Sequence, residues 1–316
     1  MPAVPATSRG AKITGWGSYL PPKILTNADL EKMVETNDQW IVERTGIRER
    51  HIGVSTVDHS YEAARFAIER SGIDPSRIDA VILATITPDR QWGSAPALQD
   101  RLGLSCGAME LNAACSGFVY GLSVAQGLIA IGARAVLLIG SDTLSRITDW
   151  TDRNTAVLFG DGAGAVVLEA CDGPGEILSW DMDADGSAGE ILKGELGGKI
   201  EMEGKEVFRR AVRIMVDSAE KSLSAGGFTA DDVALVVPHQ ANIRIITAAC
   251  DRLGVPMEKT AVVLHKTGNT SAASIPLALV DALDAGRVKE GDLVLLVGFG
   301  GGMTAASALI RWGSKS

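Results

Sequence analysis

The sequence of 316 residues is poor in cysteine, in aromatic residues and in positive charge. Its four cysteines include no Cys-x-x-Cys pair, which argues against a disulfide framework and against a zinc site. A formal net charge of -9 argues against nucleic acid as a partner. No apolar run reaches the roughly 18 residues that a membrane span needs, so no membrane segment is expected. These scarcities together predict a protein of a reducing, cytoplasmic compartment.

Short apolar runs give the first indication of the fold. They are continuous rather than alternating, rich in Val, Ile and Leu, and separated by helix-like segments, which predicts an α/β protein with sheets covered on both faces. The predicted buried strands are 79–86, 133–142, 164–170, 232–239, 292–300 and 307–312. Residues 118–131 are apolar all round and predict a buried helix, whereas the polar, glycine-rich stretch 183–204 predicts a loop.

The order of these elements repeats along the chain. Cys115 lies 34 residues after Val81 in the first predicted strand, and Asn269 lies 34 residues after Leu235 in the fourth. Each is followed by a helical stretch and then by a strand ending in glycine, which predicts a duplicated unit with Cys115 and Asn269 at equivalent places. The two predicted halves are residues 1–172, with the cysteine, and residues 173–316, with a histidine and the asparagine.

Cys115, in LNAACSGFVYGL, lies where the buried helix is predicted to begin. The free N–H groups of a helix N-terminus lower the pKa of a thiol, so this cysteine fits a nucleophile. A packed, inert thiol fits the position equally well. Cys106, Cys171 and Cys250 have no comparable setting and are predicted to be structural.

Three further segments place polar or glycine residues at strand ends or helix starts. His239, in VVPHQAN, follows a predicted strand and is either a site residue or a hydrogen-bonded structural imidazole. Asn269, in GNTSAAS, is either a site residue or a helix cap. The run GFGGGMT at 298–304 offers backbone N–H groups to an oxyanion, or is a flexible turn. FGDGAGAVV at 159–167 precedes a strand, which rejects a dinucleotide-binding loop.

With their neighbours, these segments resemble the β-ketoacyl-[acyl-carrier-protein] synthase III family of the thiolase-like superfamily. The resemblance covers nearly the whole chain and is carried by DQWIVERTGI, AACSGF, WTDRNT, VPHQAN, GNTSAAS and FGGGMT. It implies a thiolase-like five-layered α/β/α/β/α sandwich and a homodimer. It also implies an acyltransferase that condenses an acyl-CoA primer with malonyl-acyl carrier protein through an acyl-cysteine, with loss of CO₂ and without a metal or cofactor.

The resemblance further implies a role for particular residues. The catalytic residues would be Cys115, His239 and Asn269. The oxyanion hole would be formed by the N–H groups of Cys115 and Gly301. The coenzyme A contacts would be Trp40, Arg44, Arg153 and Asn242. The carrier-protein contacts would be Arg244, Arg209 and Arg252. The acyl pocket would be bordered by Phe299 and Trp92.

Two departures bear on the acyl pocket. The connection 190–202 looks shorter than is usual in the family, and Trp92 matches a position that reaches across the dimer to limit acyl length. Its bulky indole predicts a short primer such as acetyl. A homologue that starts a polyketide or another secondary metabolite, or that only transfers acyl groups, remains an alternative. A non-catalytic partner subunit is a second alternative, but the intact Cys115, His239 and Asn269 argue against it.

Overall fold

The predicted apolar runs form the central strands of two sheets in the computed structural model, which describes residues 9–313. The outermost residues of both predicted halves therefore lie outside the described part. The strands are β1 Gly10–Tyr19, β2 Lys23–Thr26, β3 Glu49–Ile52, β4 Ala80–Ala84, β5 Gly107–Leu111, β6 Ala135–Thr143, β7 Asp161–Cys171, β8 Ile177–Ala184, β9 Leu192–Gly194, β10 Ile200–Met202, β11 Val233–Pro238, β12 Leu293–Gly300 and β13 Thr304–Arg311. The α-helices are α1 Asn27–Leu30, α2 Asp38–Thr45, α3 Thr56–Ser71, α4 Ser94–Arg101, α5 Gly117–Ala130, α6 Arg153–Ala156, α7 Gly204–Gly226, α8 Ile243–Leu253, α9 Leu264–Thr267 and α10 Ser274–Asp284.

All six predicted strands are confirmed as β4, β6, β7, β11, β12 and β13, and the predicted buried helix is confirmed as α5. The loop predicted at 183–204 is wrong. This stretch holds the end of β8, a 3₁₀ segment at Gly186–Ile191 and the antiparallel hairpin β9–β10. Its paired strands have only three residues each, too few to show an alternating pattern, but Leu192, Ile200 and Met202 pack into an apolar cluster.

The two larger sheets share one topology. The first has the strand order β1-β7-β6-β4-β5, and the second has the order β8-β13-β12-β11. In both, the first three strands are antiparallel neighbours and the next pair is parallel. A parallel bridge between Val236 of β11 and Thr260 takes the place that β5 occupies beside β4. The duplication inferred from the order of elements therefore appears in the sheets.

Helices separate and cover the sheets in five layers. Helices α3 and α4 pack on the outer face of the first sheet, and α7 and α8 pack on the outer face of the second. Helices α5 and α10 lie between the sheets in one apolar core, which explains why α5 is apolar all round. The α/β/α/β/α sandwich implied by the resemblance is confirmed.

The expected equivalence of Cys115 and Asn269 is wrong by three residues. Helix α5 follows a 3₁₀ turn at Ala114–Ser116, and α10 follows a 3₁₀ turn at Ser271–Ala273. The first residues of these turns both have a positive φ, 46° at Ala114 and 50° at Ser271. The equivalent of Cys115 is therefore Ala272, and the equivalent of Asn269 is Asn112. The 34-residue spacing is the same in both halves, but the connection from β4 to α5 and the connection from β11 to α10 differ in length. They differ because β5 is a full strand, whereas its counterpart in the second half is a single bridge.

Candidate active site

A cavity of about 1060 Å³ is lined by residues from both halves. It brings together Cys115, His239 and Asn269, which are far apart in the sequence, with Phe299 and Gly301 beside them. The two buried helices α5 and α10 begin at this cavity, so their N-terminal turns supply part of its wall.

The turn before α5 positions Cys115. Ala114 has a φ of 46°, a conformation that residues with a side chain rarely adopt, and such strain is concentrated at functional sites. The hydroxyl of Thr304 donates a hydrogen bond to the Ala113 carbonyl at 3.0 Å and ties this turn to β13 of the other half. Burial raises the pKa of the Cys115 thiol to about 12. Loss of solvation thus opposes the lowering of the pKa expected from the helix terminus, and the resting thiol is neutral.

This raised pKa predicts how Cys115 reacts with iodoacetamide. Only the thiolate is alkylated, so the rate should rise about tenfold per pH unit from pH 7 to pH 10 without a plateau. Peptide mass spectrometry after timed quenching measures Cys115 separately from the other three cysteines. A rate that levels off near pH 7 would show that the pKa is lowered after all.

His239 is buried, and its Nδ1 lies 2.6 Å from the hydroxyl oxygen of Ser274 at the start of α10. Burial lowers the pKa of His239 to about 3, so the ring is neutral at physiological pH. The Phe299 ring meets the imidazole edge to face, with 5.4 Å between centroids. Because a hydroxyl can donate or accept, Ser274 supports either tautomer, and Nε2 can accept a proton or donate a hydrogen bond.

Asn269 is fixed through its backbone and its side chain. Its N–H donates to the Leu158 carbonyl at 2.8 Å, and its carbonyl accepts from the Gly160 N–H at 2.9 Å. Its side-chain Oδ1 accepts from the Ser271 N–H at 2.9 Å. With Oδ1 engaged in this way, the amide Nδ2 is the group that can donate a hydrogen bond to a substrate.

The ends of β6 and β12 face the turns of the opposite halves. Gly140 of β6 lies so close to Ala272 that a Cβ placed on it would be 2.2 Å from the Ala272 carbonyl oxygen. Gly298 of β12 faces Cys115 at the equivalent place but less tightly, because a Cβ there would lie 3.6 Å from the Cys115 carbonyl oxygen. Two residues further on, Asp142 of β6 accepts the Ala272 N–H at 3.1 Å.

Gly300 holds the corresponding place on β12. A Cβ placed on Gly300 would lie 2.5 Å from the Cys115 nitrogen and 2.9 Å from the Ala114 Cβ. The Asp142 carboxylate thus faces the Ala272 N–H before α10, and Gly300 faces the equivalent Cys115 N–H before α5. A negatively charged oxygen of a ligand is suited to the Cys115 N–H, as the carboxylate is to its equivalent.

The residues implied as coenzyme A contacts lie together. Trp40, Arg44 and Asn242 line the cavity, and the Asn242 amide donates to the Arg44 carbonyl at 2.9 Å. Arg153 is not part of the lining, but its guanidinium lies 4.8 Å above the Trp40 ring. The hairpin β9–β10 forms another part of the cavity wall.

The other implied residues are dispersed. Arg244 lines the cavity with its guanidinium 5.4 Å from the Phe208 ring, whereas Arg209 and Arg252 are exposed outside the lining. Trp92 is 75% exposed and does not line the cavity of its own chain.

Sequence reasoning missed four residues of the site. Gly300 and Ser271 lie inside segments that the sequence analysis singles out. The close approach of Gly300 to the Cys115 nitrogen and the positive φ of Ser271 cannot be predicted from the residue types. Ser274 lies in GNTSAAS without a distinguishing pattern. Asp142 was detectable as an acidic residue at the end of the predicted strand 133–142.

Within residues 9–313, no group of three or more His, Cys, Asp or Glu side chains is arranged to hold a metal ion. None of the helices described there is long and apolar enough to cross a membrane.

Comparison with known proteins agrees with this geometry. The family model described as 3-Oxoacyl-[acyl-carrier-protein (ACP)] synthase III matches residues 109–186, and its C-terminal counterpart matches residues 223–312. A curated β-ketoacyl-[acyl-carrier-protein] synthase III of Geobacillus kaustophilus is 50% identical over 311 residues, which cover 96% of this chain and 99% of that protein.

Solved structures agree as well. The crystal structure of 3-oxoacyl-[acyl-carrier-protein] synthase III from Aquifex aeolicus has a TM-score of 0.94 at 45% identity, over 96% of this chain and 100% of that one. The priming β-ketosynthase of the R1128 polyketide pathway has a TM-score of 0.92 at 34% identity, over 98% of each chain.

A thiol, an imidazole and an amide at one cavity of a duplicated thiolase fold define a condensing acyltransferase. The chain belongs to the β-ketoacyl-[acyl-carrier-protein] synthase III family. The resemblance drawn from the sequence is thereby confirmed.

Proposed function

We propose that this chain starts type II fatty acid synthesis by transferring an acyl group from coenzyme A to Cys115 and condensing it with malonyl-acyl carrier protein. One observation carries the assignment of the nucleophile. The Cys115 N–H faces Gly300, whereas its equivalent at Ala272 is capped by the Asp142 carboxylate. Cys115 thus lies in the turn before α5, where the N-terminus of the helix has room for an anionic oxygen.

The first half-reaction begins from a neutral pair. His239 accepts the thiol proton as Cys115 attacks the thioester carbonyl, and the N–H groups of Cys115 and Gly301 hold the oxyanion that forms. Collapse of this intermediate breaks the bond to the coenzyme A sulfur, which takes the proton from His239 and leaves as a thiol. Cys115 is then acylated.

The second half-reaction uses the amide and the imidazole as donors. Malonyl-carrier protein loses CO₂, and the resulting enolate oxygen accepts hydrogen bonds from His239 Nε2 and Asn269 Nδ2. The enolate carbon attacks the acyl-cysteine carbonyl, the carbon–sulfur bond breaks, and the Cys115 thiolate that leaves takes up one proton from solvent. The product is a 3-ketoacyl-carrier protein, and the balance requires no metal and no cofactor beyond the coenzyme A thioester.

Coenzyme A is proposed to enter beside Trp40, Arg44, Arg153 and Asn242. The Arg153 guanidinium already lies above the Trp40 ring, which is the stacking geometry that an adenine ring can join. Arg44 supplies positive charge for phosphate groups at the same mouth.

The acidic carrier protein is proposed to dock at Arg244, Arg209 and Arg252. Arg244 at the cavity lining would guide the phosphopantetheine arm, and the two exposed arginines would attract the acidic partner from further away. Arg209 is paired with Glu206 at 2.5 Å in the free protein, so this pair must open or share its charge on docking.

A second copy of the chain is proposed to complete the acyl pocket. β5 ends the order of the first sheet and exposes Met109, and the Trp92 indole is mostly exposed. Pairing of two such edges in a homodimer would cover both, and Trp92 would then limit the primer to a short acyl group such as acetyl. The residue ranges 1–172 and 173–316 are proposed as the two halves, and a cytoplasmic location as the compartment.

The similarity to the R1128 priming β-ketosynthase supports a second candidate function, the start of polyketide synthesis. A chain that starts polyketide synthesis would use the same residues but accept a different primer, and the primer panel described below separates the two.

Asn269→Ala tests the division of labour between the two half-reactions. We expect condensation to fall on the order of 10²–10³-fold, the effect of losing a donor to a developing oxyanion, while acylation of Cys115 stays close to the wild-type rate. Acylation is measured by intact mass after quenching, and condensation is measured by the mass of the carrier protein. Equal losses in both half-reactions, or a variant with normal condensation, would contradict the proposed role of Asn269.

A further inference from the structure

Asp142, at the end of β6, joins the two halves through a buried carboxylate. Its Oδ1 accepts hydrogen bonds from the hydroxyls of Thr85 and Thr87, at 2.9 and 2.8 Å, and from the N–H groups of Ile86 and Thr87, at 2.8 and 3.1 Å. Its Oδ2 accepts the N–H of Ala272 from the other half at 3.1 Å. One oxygen thus anchors the carboxylate in its own half, and the other holds the turn before α10.

That turn leads directly to Asn269. Ala272 follows Ser271, which has a φ of 50°, and the Ser271 N–H donates to the Asn269 Oδ1 at 2.9 Å. A positive φ at a residue with a side chain persists only where its surroundings hold it. The contacts therefore run from Asp142 to Ala272, through the strained Ser271, to the side chain of Asn269.

We infer that Asp142 is a positioning residue that sets the direction of the Asn269 amide for the condensation step. This inference rests on the proposed role of Asn269 as a donor to the enolate. Asp142 contacts the Ala272 N–H rather than the reacting atoms, so its effect on the chemistry passes through the turn.

The opposite half shows that such a turn can be tethered in another way. Before α5, the Thr304 hydroxyl binds the Ala113 carbonyl, and Gly300 leaves the Cys115 N–H clear of any carboxylate. In the duplicated scaffold, the Cys115 N–H thus receives the substrate oxygen, and the equivalent Ala272 N–H fixes the turn that holds the Asn269 amide. A carboxylate at position 142 serves the second use, and a glycine at position 300 serves the first.

Asp142→Asn breaks this contact selectively. The Asn Oδ1 can keep the four donors of the first half, which places its NH₂ group opposite the Ala272 N–H, donor against donor. We expect condensation to fall about tenfold or more, the effect of losing a hydrogen bond to a charged group, while acylation of Cys115 changes less than about threefold. Both half-reactions are measured as for Asn269→Ala.

Glu176→Gln is the matched control. Glu176 is a buried carboxylate that accepts the N–H groups of Ile13 and Gly313, each at 2.9 Å, at the seam of the halves rather than at the cavity. A general loss of stability would appear in both variants as a lower unfolding temperature and equal losses in both half-reactions. Only Asp142→Asn should separate condensation from acylation.

A double-mutant cycle with Ser271→Gly tests the route through the turn. Glycine adopts a φ of 50° without strain, whereas Ser271→Ala removes the same hydroxyl and keeps the strain, so Asp142→Asn should lower condensation by less than about threefold in Ser271→Gly and by the full amount in Ser271→Ala. A full tenfold loss in both backgrounds would overturn the route through Ser271. If Asp142→Asn does not fold, Thr85→Val, which removes one donor to Oδ1 and keeps the carboxylate, should lower condensation alone.

The outcomes separate this inference from the proposed function. If Asn269→Ala leaves condensation unchanged, the proposed role of Asn269 fails. If Asn269→Ala lowers condensation and Asp142→Asn does not, or if Asp142→Asn lowers acylation equally, only the positioning role of Asp142 is overturned.

Discussion

Replacing Cys115 by alanine removes the acyl adduct and abolishes condensation. Wild-type protein incubated with acetyl-CoA should gain the mass of one acetyl group. Cys115→Ala should gain none, because it lacks the thiol that accepts the acetyl group, and without the acyl-cysteine there is no condensation. The fold should persist, since its equivalent Ala272 shows that alanine fits a turn of this shape. Intact-protein mass spectrometry is the measurement.

A panel of acyl-CoA thioesters in the same experiment identifies the primer. Acetyl-CoA should label Cys115 faster than long-chain thioesters if Trp92 shortens the pocket. Faster labelling by long or unusual acyl groups would contradict the short-primer prediction and would favour a starter enzyme of another pathway. An adduct that survives in Cys115→Ala would assign the acyl group to another residue.

Gly300→Ala should lower the rate of Cys115 acylation on the order of 10²–10³-fold, the effect of losing an oxyanion donor. The added Cβ would lie 2.5 Å from the Cys115 nitrogen, so the turn must move or its N–H must be blocked. The φ of Gly300 is −153°, which any residue adopts, so the effect comes from the contact and not from the backbone. Rapid-quench mass spectrometry with saturating acetyl-CoA measures the rate.

Gly127→Ala provides the comparison for this variant. A Cβ at Gly127, in α5, meets nothing within 4 Å, so the same substitution there should leave acylation unchanged. Acylation by Gly300→Ala at the wild-type rate would show that the Cys115 N–H does not hold the oxyanion.

The sequence predicts most of the fold because apolar patterns determine buried elements. Continuous Val, Ile and Leu runs located β4, β6 and β12, and an all-round apolar stretch located α5. The hairpin β9–β10 was missed because three-residue strands rich in glycine and charge carry no period. The equivalence of Cys115 and Ala272 was missed because it depends on turn conformation, which spacing alone does not encode.

For the site, residue type and position predicted which side chains meet but not their electrostatics. Cys115, His239 and Asn269 line one cavity, as the resemblance implies. Burial raises the pKa of the Cys115 thiol, whereas the helix terminus alone would lower it. The sequence does not show this burial, because it depends on how both halves enclose Cys115. The contact from Asp142 to Ala272 joins residues 130 apart in the chain, and only the folded protein brings them together.

Transfer of the acyl group from Cys115 to the carrier protein tests the central claim most directly. Acetylated protein, freed of acetyl-CoA by gel filtration, is mixed with malonyl-carrier protein, and both masses are followed in a single turnover. We predict that the acetyl mass leaves the enzyme as the carrier protein changes from malonyl to acetoacetyl, with loss of CO₂, at the same rate. Release of free acetate with the malonyl-carrier protein unchanged would contradict condensation at Cys115.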